Sequence, residues 1–153
     1  MASPIFDCSA RTSVVASGGA LIQLVPPALA LKTGRVLKLR QISISNTTAT
    51  AFGVGLGIAS VAAVTPATAG VILPRDATHD PASVASVLTT FGTTPTAPSG
   101  YSSRLWIPAS STVIWVWNEG EELVVPPAST PLPFCIFNTG TGQIADVTLS
   151  WTE

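Results

Sequence analysis

Clusters of glycine, proline, asparagine and threonine divide the chain into short apolar runs along its whole length. Runs of this kind, rich in valine, isoleucine, leucine and aromatic residues, are typical of β-strands bounded by turns. Near the C-terminal end, Val147, Leu149 and Trp151 alternate with polar residues, which is the period of a strand with one buried face. We therefore predict an all-β fold, with strands at residues 12–16, 20–25, 35–46, 51–58, 70–73, 103–107, 112–117, 121–125, 132–138 and 144–152.

One of these predicted strands changes phase at its middle. Leu37 and Leu39 share one face of the strand, whereas Ile42 and Ile44 fall on the opposite face. Because side chains alternate along a strand, one extra residue is needed to bring all four to the same side. We predict a β-bulge near residues 40–41, as in long strands that bend between two packed sheets.

A weak internal repeat indicates how the strands are arranged. The segment 25–28, Val-Pro-Pro-Ala, returns at 125–128, and each copy precedes a strand that ends at an asparagine, Asn46 or Asn138. Asparagine followed by small polar residues favours a turn, since it tolerates left-handed backbone angles and bonds its own chain. Two similar units facing each other predict a jelly-roll-like antiparallel β-sandwich, formed as one domain by residues 1–153.

A long insertion, residues 59–102, separates the two halves of this predicted sandwich and is rich in alanine, threonine, serine and proline. Within it, Asp80 is a suitable N-cap residue and Pro81 suits the first position of a helix. The apolar residues that follow have the spacing of one helical face: Val84, Val87, Leu88 and Phe91. We predict one short helix here, ending at Gly92, in an insertion whose length indicates an interaction surface.

Charged residues make up only 10% of the chain, against about 25% in a typical soluble domain. Hydrophobic residues make up 46%, the net charge is −1 and the mean hydropathy is +0.49. Because the solubility of a protein depends on its charged surface, we expect partner proteins to cover much of the surface of this chain. Seven basic residues scattered among eight acidic ones provide no stripe that could neutralise phosphates, which argues against nucleic-acid binding.

Residues 51–73 carry no charge and have the length of a membrane span. They consist largely of glycine, alanine, threonine and serine, include Pro66, and lack the density of leucine, isoleucine and phenylalanine that drives insertion. We therefore predict no membrane contact. The first twelve residues have no basic segment and place Asp7 before any apolar run, so we also predict no secretory signal.

The chain offers few titratable residues for catalysis. Its one histidine, His79, lies in the segment 76–80, where two carboxylates and an imidazole could bind a divalent cation. The alternative is a solvated loop in which Asp80 caps the predicted helix. No serine has the spacing of a nucleophile elbow, and one histidine cannot supply the ligands of a metal-dependent cupin. We predict no enzyme activity, no catalytic, cofactor-binding or metal-binding residue, and no cofactor.

Three other features have structural explanations. The acidic run at residues 119–122 could form catalytic carboxylates, but such pairs face each other across a cleft, and a solvated hairpin tip is the preferred interpretation. The alternating glycines of residues 53–57 lack the ending of a phosphate loop and predict close approach by another chain or sheet. Cys8 and Cys135 could form one bridge, although free, buried thiols are favoured.

The four tryptophans allow two interpretations. Trp115 and Trp117 share one face of a predicted strand, Trp106 lies just before that strand, and Trp151 lies near the end of the chain. The preferred interpretation places the tryptophans in the core or at a subunit interface. If those of strand 112–117 are exposed instead, they would form a platform that stacks on sugars.

Three segments carry a resemblance to a known family. They are the strand and turn at residues 36–48, the run Gly-Glu-Glu-Leu-Val-Val-Pro-Pro at 120–127, and the C-terminal segment 134–151. Together they resemble the small jelly-roll virion proteins of tailed bacteriophages, the capsid decoration (cement) and head-fibre or spike subunits. The insertion 59–102 has no counterpart in this resemblance.

The resemblance implies a structural virion protein, assembled in the host cytoplasm, that decorates or stabilises a bacteriophage capsid through protein–protein contacts without catalysis. It also implies a homo-oligomer, with a homotrimer as the first expectation, bound to other virion proteins such as the major capsid protein. We expect the N-terminal arm, residues 1–11, and the insertion 59–102 to dock on these partners. The alternative is a carbohydrate- or receptor-binding module of a phage tail or spike.

Overall fold

The computed structural model describes residues 3–27, 36–61, 64–76 and 82–153, and within these ranges it contains twelve β-strands and no helix. In chain order the strands are β1 (Ile5–Arg11), β2 (Ala20–Val25), β3 (Leu37–Asn46), β4 (Phe52–Ile58), β5 (Val64–Ala69), β6 (Leu73–Pro74), β7 (Ser86–Thr93), β8 (Ser103–Ile107), β9 (Thr112–Val116), β10 (Leu123–Val125), β11 (Phe134–Asn138) and β12 (Ala145–Thr152). The predicted all-β class is confirmed.

These strands form two six-stranded antiparallel sheets that pack face to face. The front sheet has the order β10-β3-β12-β1-β6, and β9 pairs with the same edge of β3 as β10 does. The rear sheet has the order β5-β7-β2-β11-β4-β8. The facing sides of the sheets enclose the core, whose largest fully buried side chains include Phe6, Phe52, Phe134 and Trp151.

The strand connections follow the nested pairing of a jelly roll. Four antiparallel pairs, β1–β12, β2–β11, β3–β9 and β4–β8, join strands from opposite ends of the chain inward, as when one long hairpin is rolled into two sheets. The predicted jelly-roll-like antiparallel β-sandwich is confirmed. Strands β5, β6 and β7 all come from the insertion 59–102, between β4 and β8, and they extend one edge of each sheet.

The predicted bulge is present in β3. Ser150 of β12 faces Gln41, whereas the next residue, Trp151, faces Leu39, so Arg40 has no partner on β12. This extra residue returns the two halves of β3 to the same phase. As a result, the two leucines and two isoleucines of β3 are all buried in the core.

The predicted short helix is wrong over the described residues, because Ser86–Thr93 is strand β7. This strand pairs with β2 on one side and with β5 on the other, so its backbone hydrogen bonds are made to neighbours in the rear sheet. Val87 is buried in the core, and the β-branched Thr89 and Thr90 favour an extended backbone. The predicted cap at residues 80–81 lies outside the described residues.

The N-terminal segment is for the most part a strand and not the expected arm. Ile5–Arg11 forms β1, which lies between β12 and β6, and its Phe6 and Cys8 are almost completely buried. The predicted strand at residues 12–16 is wrong, since these residues form a loop after β1. The signal for β1 was present, because Phe6, Cys8 and Ala10 alternate with polar residues.

The rear sheet is buried on both faces around β11. Phe134 faces the core, whereas Cys135 and Phe137 face the opposite side, where they form a second apolar cluster with residues of the β7–β8 connection. Cys8 and Cys135 are both free and buried, which confirms the preferred prediction of unpaired thiols. Burial raises the pKa of both thiols.

Two asparagines close the turns that the sequence predicted. The Asn46 side-chain oxygen accepts a hydrogen bond from the Thr48 N–H at 2.9 Å. The Asn138 side-chain oxygen accepts one from the Gly140 N–H at 3.1 Å, and its amide donates to the Gly140 carbonyl at 2.7 Å. Each asparagine therefore bonds the chain two residues further on, as expected for such turns.

Candidate functional site

The acidic segment considered as a cation site is only partly described. Asp76 is exposed, and residues 77–81, which include His79 and Asp80, lie outside the described residues. Among the residues that the structure describes, no group of three or more His, Cys, Asp and Glu side chains could hold a metal ion. The described part of the chain therefore adds no support for a cation site.

The acidic run at residues 119–122 lies in the turn between β9 and β10. The Asn118 side-chain amide donates to the Glu121 carboxylate at 2.9 Å. Gly120 has the left-handed backbone angle φ 87°, and its N–H donates to the Glu122 carboxylate at 2.7 Å. These carboxylates bond within their own turn and are not a pair set across a cleft. The turn is not the predicted hairpin tip, because β9 and β10 pair one after the other with the same edge of β3 and not with each other.

The four tryptophans all lie in the described part of the structure, and they differ in how deeply they are buried. Trp151 is fully buried, with its ring centroid 6.1 Å from that of Phe6. Trp115 and Trp117 are half-buried against the core, with ring centroids 6.1 Å apart. Strand 112–117 therefore does not present a tryptophan platform. Trp106 is different, because 67% of its surface is exposed.

Strand β9 forms an apolar edge of the front sheet. Within the described part of the chain it pairs with β3 and with no other strand. Ile114 and Val116 point away from the core and are 58% and 63% exposed. No charged residue occurs between Arg104 and Glu119. We call β9 the apolar edge strand, because it combines unpaired backbone groups on one side with exposed apolar side chains.

A cluster of charged residues lies beside this edge, at the bulge of β3. Two adjoining pockets of about 260 and 500 Å³ share Ile5 and Arg40 in their walls. The charged residues lining them are Lys38, Arg40, Arg75, Glu119 and Glu122. In a chain with seven basic and eight acidic residues, this is a marked local concentration.

One ion pair orders part of this charged cluster. Arg75 donates to both carboxylate oxygens of Asp7, at 2.7 and 3.2 Å, and to the Ser150 hydroxyl at 3.0 Å. Partial burial acts to raise the pKa of Asp7, but the hydrogen bonds from Arg75 and Ser150, with the Arg75 charge, hold that pKa below its ordinary value. Cations and carboxylates are nearly balanced here, so the cluster does not select an anionic ligand.

The alternating glycines of β4 form a trough on the outer face of the rear sheet. A Cβ atom at Gly53 would lie 3.6 Å from the Trp106 ring, and one at Gly55 would lie 2.5 Å from the Tyr101 ring. A Cβ atom at Gly57 would lie 3.0 Å from a proline side chain. The glycines therefore permit a close approach, but the groups that approach are side chains of the same chain and not the other chain or sheet that was predicted.

An open pocket of about 320 Å³ lies at the end of this trough. Its lining consists of Gly53, Arg104, Leu105, Trp106, Thr139 and Gly140. The Arg104 guanidinium lies 5.3 Å from the centre of the Tyr101 ring. We call this site the Trp106 pocket. The sequence contained a signal for this site. In the alternation of a strand, Arg104 and Trp106 fall on one face, and the apolar residues Leu105 and Ile107 fall on the other, which is the more buried face in the structure.

Comparison with known proteins identifies no relative. No protein-family model, no curated protein and no solved structure matches the chain. No helix in the described ranges is both long and apolar enough to cross a membrane. The protein is thus defined by its fold, a jelly-roll β-sandwich, and by two surfaces of opposite sheets, the apolar edge strand and the Trp106 pocket.

Proposed function

We propose that this protein is a structural subunit that acts through protein–protein contacts, and that the assembly it joins is a bacteriophage particle. The observation that carries the first part is the apolar edge strand, β9. The second part rests on the resemblance of segments 36–48, 120–127 and 134–151 to small jelly-roll virion proteins. If the assembly is a bacteriophage particle, this protein is located in the virion, after assembly in the host cytoplasm.

An exposed edge strand favours pairing with another chain. Natural proteins protect such edges with lysine, proline, bulges or a covering segment. Strand β9, Thr-Val-Ile-Trp-Val, contains neither a charge nor a proline, and its Ile114 and Val116 are exposed. Backbone groups on its free side supply directional hydrogen bonds, and the two apolar side chains supply surface that gains stability when buried. The composition of β9 therefore favours a surface that contacts another protein over an edge that faces solvent.

The partners we propose are further copies of this chain, with a trimer as the first expectation, and other virion proteins such as the major capsid protein. In a cyclic trimer each copy would offer β9 to a different surface of its neighbour, which is a heterologous contact. Many identical contacts on a particle would then add to the strength of attachment through multivalency. The mechanism is passive and uses no catalytic residue.

The experiment that tests this function compares two lysine variants by sedimentation velocity and by binding to empty capsids. Ile114→Lys places a charge on the apolar edge strand, so we expect the oligomer to dissociate and capsid binding to fall. Val14→Lys is the matched control, because Val14 lies in the loop after β1 and is 63% exposed, close to the 58% of Ile114. Equal behaviour of both variants and the parent would contradict the proposed role of β9.

A second candidate function is carbohydrate or receptor binding on a phage tail or spike. The tryptophans of strand 112–117 do not favour it, because they pack against the core. The observation that favours it is the exposed Trp106 on the rear sheet. The two functions use different sheets and are compatible in one subunit.

A further inference from the structure

We infer that the Trp106 pocket binds an acidic pyranose, a sugar that carries a carboxylate, with its ring stacked on Trp106 and its carboxylate bonded to Arg104. This inference rests on the second candidate function and gives it a site and a ligand class. It does not depend on the proposed assembly through β9, which lies in the other sheet.

The position of the Trp106 ring is the first argument. Trp106 is paired with Gly53 across the β4–β8 ladder, and a Cβ atom at Gly53 would lie 3.6 Å from two of its ring carbons. The Trp106 ring therefore packs beside the backbone of Gly53, where there is no side chain. With 67% of its surface exposed, the indole still offers a broad apolar area to a ligand.

The polar groups around the ring are the second argument. Thr139 is fixed by the hydrogen bond from its N–H to the Gly53 carbonyl at 2.9 Å, and its hydroxyl lies 2.6 Å from the Cβ position of Gly53. The hydroxyl and the Trp106 ring therefore both lie over Gly53. Arg104 is oriented by the face of Tyr101, at 5.3 Å, and is the one charged residue in the pocket lining. Its planar guanidinium suits two-point binding of a carboxylate.

The chemistry of these groups selects the ligand class. A pyranose has an apolar C–H face for the indole and hydroxyls for Thr139, whereas a wholly apolar ligand would leave the pocket's donors unpaired. Nucleic acid would need several phosphate contacts, and a single arginine does not supply them. At about 320 Å³ the pocket is at the lower end of the size range of small-molecule sites, roughly 300–1,000 Å³, which fits one or two sugar units.

The test is calorimetric titration of the full chain with a uronic-acid disaccharide and with its neutral counterpart. We expect the acidic sugar to bind about tenfold more tightly than the neutral one, since one charge-assisted hydrogen bond is worth that much. Arg104→Gln should remove this preference while keeping the weaker binding of both sugars. Trp106→Ala should weaken binding of both by about tenfold or more.

The control is Val71→Ala, which removes part of another exposed apolar side chain, 72% exposed, outside the pocket. It should bind both sugars as the parent does. No binding of either sugar by the parent, or unchanged binding by Trp106→Ala, would overturn the inference. Sedimentation of the same samples separates this result from the assembly question, because Trp106→Ala should keep the oligomeric state of the parent.

Discussion

Replacement of Trp151 by alanine should cost about 4 kcal/mol of unfolding free energy. Trp151 is fully buried against Phe6, and its indole N–H donates to the Glu153 carboxylate at 3.2 Å. A buried tryptophan removes roughly 200 Å² from water, which at about 25 cal/mol per Å² corresponds to about 5 kcal/mol, and alanine retains a small part of it. Core replacements of this kind cost about 3–5 kcal/mol. Urea denaturation followed by circular dichroism measures the loss.

Trp106→Ala is the control, because it removes the same atoms from a residue that is 67% exposed. We expect its unfolding free energy to change by less than about 1 kcal/mol, and its melting temperature to stay within a few degrees of the parent. Trp151→Ala should melt about 10 °C lower. Equal losses in the two variants, or a loss below about 1 kcal/mol for Trp151→Ala, would refute the assignment of one ring to the core and the other to the surface.

Three further changes test the packing and the charges, each by urea denaturation. Gly55→Ala should cost about 1–3 kcal/mol, because the new Cβ lies 2.5 Å from an aromatic ring, whereas Gly140→Ala meets nothing within 4 Å and should cost less than about 1 kcal/mol. Asp7→Asn should cost about 1 kcal/mol at neutral pH. Because the folded pKa of Asp7 lies below its ordinary value of 3.8, the contribution of this ion pair is present above that pH and is lost as the pH falls through the folded value. Gln23→Met should be neutral or stabilising, since the buried Gln23 side-chain oxygen has no hydrogen-bond partner among the described residues.

Each of these three results can fail in a defined way. Equal losses for the two glycine variants would mean that the β4 trough is not filled by the ring. A variant Asp7→Asn with the same dependence of stability on acid pH as the parent would remove Asp7 from the acid response. A loss of more than about 1 kcal/mol in Gln23→Met would show that this buried amide is bonded in solution.

The sequence predicted the sandwich because its strongest signals are local and periodic. The phase change between Leu39 and Ile42 required a bulge, and the register of β3 against β12 contains it. The asparagine turns at Asn46 and Asn138 were also predictable, since their hydrogen bonds reach only two residues along the chain.

Strand β7 was missed because its apolar residues fit two periods. Val84, Val87, Leu88 and Phe91 have the spacing of a helical face. In the folded chain, pairing with β2 and β5 decides in favour of a strand. Strand β2 is distant in sequence, and β5 lies in a segment whose residues do not alternate clearly between apolar and polar. Strand β1 was missed for another reason, since its alternating positions include the small residues Cys8 and Ala10.

The candidate site was only partly predictable. The sequence placed the tryptophans of strand 112–117 on one face and favoured burial, and the structure puts that face against the core. It did not single out Trp106, although charged Arg104 two residues earlier indicated an outward face. The contact between Trp106, Gly53 and Thr139 joins three separate segments, so only the folded arrangement reveals the pocket.

The measurement that tests the central claim most directly is the molar mass of the purified protein in solution, by light scattering over a wide range of concentrations. The proposed structural role predicts a closed oligomer, with three times the chain mass of 15.6 kDa as the first expectation. A mass of 15.6 kDa at every concentration would contradict self-association through the apolar edge strand. It would leave the sugar site on the opposite sheet as the function to pursue.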